Sequence, residues 1–144
     1  MNYERILTYI LLAALIACII GVIYIIVTPQ EGEHFTEFYI LGSEGKAADY
    51  PTHLIEGENG RVIIGIVNHE WEQKNYQVIL ELENNAIKTI NGITLGHEEN
   101  WIREVSFKPN ITGENLMLQF LLYRNDNNEV YRNLHLWIDV DSLD

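Results

Sequence analysis

The apolar and polar positions along the chain fall into two regimes. Ile6 to Val27 reads ILTYILLAALIACIIGVIYIIV, with no charged residue and no proline. It has no polar face, so it predicts a membrane-spanning helix and not the core helix of a soluble domain. At about 1.5 Å per residue it reaches about 33 Å, enough for a hydrocarbon layer of about 30 Å. Tyr9 and Tyr24 lie toward its ends, where amphipathic rings favour the headgroup level. From Phe35 onward the repeat changes to two, the mark of half-buried strands.

Phe35 to Leu41 alternates Thr36, Phe38 and Ile40 against Phe35, Glu37 and Tyr39. The polar stretch Gly42 to Gly60 is too long for a structureless loop in a compact domain, so a short strand is expected near His53 to Glu56. Arg61 to His69 is apolar on both faces and predicts a central strand. Tyr76, Val78, Leu80 and Leu82 alternate with Gln77, Ile79, Glu81 and Glu83, which predicts one buried face and one wet face. Asn84-Asn85 reads as a turn. Asn91-Gly92, between Ile87–Ile90 and Ile93–Leu95, reads as a tight hairpin, because both residues tolerate positive φ. Trp101 to Phe107, Leu116 to Tyr123 and the run Leu134, Leu136, Ile138, Val140 complete seven or eight strands. This spacing predicts an all-β fold, an immunoglobulin-like antiparallel β-sandwich preceded by one transmembrane helix. The expected organisation is a short cytoplasmic N-terminus at 1–5, the helix at 6–27, a linker at 28–34 and the sandwich domain at 35–144.

Charge sharpens the picture. The chain has 9 Lys+Arg against 21 Asp+Glu, a net charge of −12. Glu4 and Arg5 cancel, so the whole excess lies beyond the helix, where it repels phosphates and excludes nucleic-acid binding. Arg5 precedes the helix, whereas Glu31, Glu33, Glu37 and Glu44 follow it before Lys46. The positive-inside rule therefore places the N-terminus in the cytoplasm and the β domain outside, in a single-pass cell-membrane protein. Leu15-Ile16-Ala17-Cys18 spells a lipoprotein-type cleavage box, but the apolar run continues past it, and an unprocessed anchor is the preferred reading. The β domain has no cysteine and must be held by packing alone. Ala13, Ala17 and Gly21 recur every four residues, a stripe that admits a second helix at close range. The expected partners are thus the lipid bilayer and another protein, met through the helix or the sandwich surface.

Candidate chemistry is sparse. His69-Glu70 is followed by Gln73 where a metalloprotease would need its second histidine. Asp126-Asn127-Asn128-Glu129 lacks the glycine and distal glutamate of a calcium loop and suits a hairpin turn better. Ser43, Ser106 and Ser142 lie in no nucleophile elbow. No cofactor, metal site or enzyme activity is expected. Two surface features remain. Trp71, Trp101 and the row Tyr131, His135, Trp137 could form an aromatic platform for a glycan or envelope component. Asn110-Ile111-Thr112 is a glycosylation sequon.

Phe38-Tyr39-Ile40-Leu41-Gly42, Gly45-Lys46-Ala47, Tyr50-Pro51, Gly57, Gly65-Ile66-Val67-Asn68-His69-Glu70, Tyr76 and Leu134-His135-Leu136-Trp137-Ile138 together resemble an archaeal domain-of-unknown-function family, DUF1616. The resemblance spans nearly the whole β domain. It implies a membrane-associated protein with an extracytoplasmic β domain, although many members carry several membrane helices where this chain has one. No catalytic residues come with it. The expected function is therefore that of a membrane-anchored interaction or structural module, an accessory subunit of a membrane or envelope assembly. A glycan- or envelope-binding module is the alternative.

Overall fold

A computed structural model describes residues 2–28, 32–125 and 127–143. The chain divides into two units, Met1–Gly32 and Glu33–Asp144. Part of the expected linker (residues 29–31) and Asp126 of the calcium-loop comparison lie outside the described residues.

The first unit contains the helix α1, Tyr3–Val27, none of whose residues is buried. It starts three residues before the apolar run, so Tyr3, Glu4 and Arg5 belong to the helix and not to a separate tail. A glutamate in the first turn suits the positive end of the helix dipole. Thr28 closes the helix in an extended conformation, its N–H donating to Tyr24 O at 2.9 Å. Thr28 precedes a proline, which disfavours further helical backbone. The helix is long and apolar enough to cross a membrane.

The second unit is a sandwich of eight strands: β1 (Phe35–Leu41), β2 (His53–Ile55), β3 (Gly60–His69), β4 (Lys74–Leu82), β5 (Asn85–Leu95), β6 (Asn100–Phe107), β7 (Gly113–Arg124) and β8 (Val130–Asp141). They form a three-stranded sheet, β1-β3-β6, and a five-stranded sheet, β2-β8-β7-β4-β5. The core lies between them. Val62, Ile64, Ile66, Val105 and Phe107 face Val78, Leu80, Leu82, Leu118, Phe120, Leu122 and Ile138, all buried. These are the positions that the period-two alternation assigns to the inner faces. The strands apolar on both sides, β3 and β7, are interior in their sheets, as their sequences predict. On the outer side of β3, the Tyr39 ring lies over its cross-strand partner Gly65, where a Cβ would sit 2.0 Å from the ring.

Three features depart from the sequence reading. The short β2 pairs parallel, not antiparallel, with the end of β8, His53↔Asp139 to Ile55↔Asp141. Asn91-Gly92 is not a hairpin turn: it lies within β5, where Asn91 and Gly92 together oppose Gln77 of β4 and the register shifts. Gly92 has φ +76° there, so the tolerance for positive φ that favours a tight turn serves a β-bulge instead. The hairpin is at Glu83-Asn84, with φ 49° and 65°, one residue ahead of the expected Asn84-Asn85 turn. Positive φ at both central residues matches the twist of the flanking strands.

Candidate functional site

The polar segment that ends β3 organises one end of the sandwich. Asn68 is fully buried, and its side chain closes the β3–β4 turn. Its Nδ2 donates to Glu72 O at 2.8 Å and to Leu95 O at 2.7 Å, while Glu70 N donates to its Oδ1 at 2.7 Å. The backbone groups it satisfies belong to this turn and to the end of β5. Glu70 is only 4% exposed and is held from several sides. Arg124 of β7 forms an ion pair with its Oε1. The same oxygen accepts from Thr36 Oγ1 at 3.0 Å and from Tyr131 Oη at 3.4 Å. Thr36 Oγ1 in turn meets Tyr76 Oη at 2.8 Å, and Tyr131 Oη accepts from Thr36 N at 3.2 Å. The Arg124 guanidinium lies 3.9 Å from the Tyr131 ring centroid. A carboxylate, a guanidinium and three hydroxyls thus join both sheets through β1, β4, β7 and β8.

Burial pushes the Tyr76 phenol above its ordinary range, and the nearby Glu70 charge adds to this against the bond to Thr36. In the same turn, Lys74 beside Glu72 holds that exposed carboxyl below its usual value. Among the described residues no buried side-chain polar atom lacks a hydrogen-bond partner. That completeness is what a structural joint requires.

The five candidate aromatic residues do not converge on one platform. Tyr131 leaves the outward row because it is the extra residue of a bulge: Leu122 pairs Arg132 and Tyr123 pairs Val130. The offset turns its ring inward, onto Thr36 and Glu70. Trp101 packs against the core from β6. Trp71, at φ 63°, stacks on His97 with ring centroids 4.2 Å apart. His135 and Trp137 stay outside, edge to face at 5.8 Å. His69 bonds Glu37 at 3.0 Å and stacks on Phe35. Asn110 is exposed in the β6–β7 turn, and Ala13, Ala17 and Gly21 lie exposed along α1. Among the described residues, no three His, Cys, Asp or Glu side chains gather as a metal cage.

The concavity that sequence reading missed lies on the outer face of the five-stranded sheet. It is an open trough of about 590 Å³, walled by Asn75 and Gln77 of β4, Asn91 and Thr94 of β5, Tyr123 of β7 and the β7–β8 turn. Gln77 is the register partner of Tyr123 on one side and faces the Asn91-Gly92 bulge on the other.

The chain belongs to the domain-of-unknown-function family DUF1616, which it matches over residues 29–139. No curated protein matches it. Among solved structures it is similar to the CARDB domain of the PF1109 protein from Pyrococcus furiosus, crystallised in complex with di-metal ions. That match has 14% identity and a TM-score of 0.54, over 81% of this chain and 100% of that one. The solution structure of the same domain matches at 13% identity and a TM-score of 0.51, over 76% and 98%. A domain of the outer membrane lipoprotein Omp28 from Porphyromonas gingivalis matches at 15% identity and a TM-score of 0.43, over 74% and 98%. The fold class is therefore the immunoglobulin-like β-sandwich with one N-terminal apolar helix.

Proposed function

We propose that this protein is a single-pass membrane protein whose sandwich lies outside the cytoplasm and acts by contact with a partner, as an accessory module of a membrane or envelope assembly. The observation that carries this reading is α1, apolar on every side and unburied along its whole length, joined to a sandwich with a complete core of its own. A helix of this length with no polar face is suited to lipid as its solvent. In the sandwich, the buried Glu70 carboxylate is engaged by Arg124 and Thr36.

The test is a pair of reporter fusions after Asp144, alkaline phosphatase and a fluorescent protein, in a bacterial host. The phosphatase fusion is expected to be active and the fluorescent fusion dark. The reverse result puts the sandwich in the cytosol and removes the reading. Gentle solubilisation is then expected to yield a stoichiometric complex with a second membrane protein by native mass measurement.

A further inference from the structure

The outer trough is chemically unlike the rest of the domain. The sandwich carries nearly all of the chain's excess negative charge, yet the described residues lining this hollow are all uncharged: amides, a threonine, tyrosines and Gly92. We propose that the trough is a binding site for a neutral oligosaccharide chain.

The lining selects among ligand classes. An anion would need lysine or arginine, a metal cation would need carboxylates, and neither is among the described residues that line the trough. An apolar ligand would need an apolar floor, but the walls are amides. An extended peptide adding as a strand would pair along the free edge of β5, whereas the floor of the trough is the sheet face over β4 and β7, both already paired on two sides. A sugar ring presents hydroxyls that both donate and accept, and carboxamides offer both functions side by side. An aromatic ring among them, here Tyr123, adds the apolar contact that the CH groups of a pyranose require.

The amides are also held in place. Gln77 Nε2 donates to Asn91 Oδ1 at 2.6 Å, which leaves Gln77 Oε1 and Asn91 Nδ2 to face a ligand. Thr94 Oγ1 donates to Asn75 Oδ1 at 2.9 Å, which leaves Asn75 Nδ2. Asn75 N donates to Asn125 Oδ1 at 3.1 Å, and Asn125 N donates to Asn75 O at 2.7 Å, tying the turn to β4. Side chains ordered before binding lose little freedom on binding, so a modest number of contacts yields useful affinity. The bulge completes the shape: two residues against one bend β5 at Asn91-Gly92. A Cβ built on Gly92 meets nothing within 4 Å, so the trough is open there. Its openness suits a chain passing through more than a small ligand enclosed.

The experiment is isothermal titration of the full-length chain in a detergent without a sugar headgroup. The probes are two neutral hexasaccharides, maltohexaose and chitohexaose, with hexagalacturonate as the acidic control. Binding of at least one neutral probe is expected with a dissociation constant of about 1 mM or tighter, corresponding to about 4 kcal/mol. Asn91→Ala and Gln77→Ala are each expected to weaken it about tenfold, and Asn110→Ala, remote in sequence and structure, to leave it unchanged. Asn91 and Asn110 are both exposed, so unfolding temperatures should match the parent and separate lost contacts from lost fold. Neither neutral probe binding, equal binding of the acidic control, or indifference to both trough variants would each overturn the proposal. Binding in micelles does not depend on which side of a membrane the sandwich occupies. Its failure therefore leaves the proposed topology standing, and a cytosolic C-terminus leaves the trough untouched.

Discussion

Glu70 and Arg124 lie 54 residues apart in sequence, yet they form the ion pair that joins the β3–β4 turn to the end of β7. Taking two charges out of water is costly, and removing one partner leaves the other uncompensated. Arg124→Met is therefore expected to lower stability by about 3 kcal/mol, read from denaturant unfolding followed by tryptophan fluorescence. Replacing both residues by leucine should cost less than the single change, because no charge is then left behind. Tyr76 makes a second prediction at this scale. Burial raises its folded-state pKa above the ordinary range of a phenol. The sign follows: the neutral phenol is favoured in the folded state, so its contribution is complete below pH about 10 and is lost as pH rises through the folded value. Tyr76→Phe should flatten the alkaline limb of the stability curve relative to the parent. An unchanged limb would mean that other groups dominate there.

Elements were legible where one local rule decided them. The inner face of β4 follows from alternation alone, and β3 and β7 read as interior strands because both of their faces are apolar. What remained hidden depends on pairing between distant segments. Nothing local in His53–Ile55 states that it will run parallel to the end of β8. Asn91-Gly92 has the chemistry of a tight turn and of a bulge alike, and the choice is made by β4 continuing alongside β5. Strict alternation puts Tyr131 in an outward row, but β8 carries one residue more than β7 at that position. The trough was invisible for the same reason, since its described walls come from Asn75 to Gln77, from Asn91, Gly92 and Thr94, and from Tyr123, Asn127 and Asn128. Gly65 offers a test at the level of β1 and β3. Gly65→Ala puts a methyl group into the Tyr39 ring and is expected to cost about 1–3 kcal/mol, whereas Gly65→Ala combined with Tyr39→Ala should recover part of the loss. For α1, Ala17→Leu with Gly21→Leu is expected to reduce self- or partner association in a membrane two-hybrid assay, because larger side chains hold helix backbones apart.

For the whole molecule, stability rests on packing. The sandwich has a core drawn from both sheets and no cysteine with which to staple it. Its unfolding midpoint is accordingly expected to be the same with and without reductant, a comparison made on the full chain in micelles. A shift would point to a covalent species that the sequence does not allow within one sandwich. Neighbours of the same architecture share only about one residue in seven with this chain. The shared feature is therefore the fold alone.

The lone thiol of the chain, Cys18, is exposed partway along α1. It follows Ala17 directly and lies one helical turn beyond Ala14, at the border of the small-residue stripe. Nature has thereby left a single chemical handle inside the apolar helix. A spin label attached there reads immersion depth without any engineering, and mild oxidant links two copies covalently only where their backbones run within about 7 Å of each other.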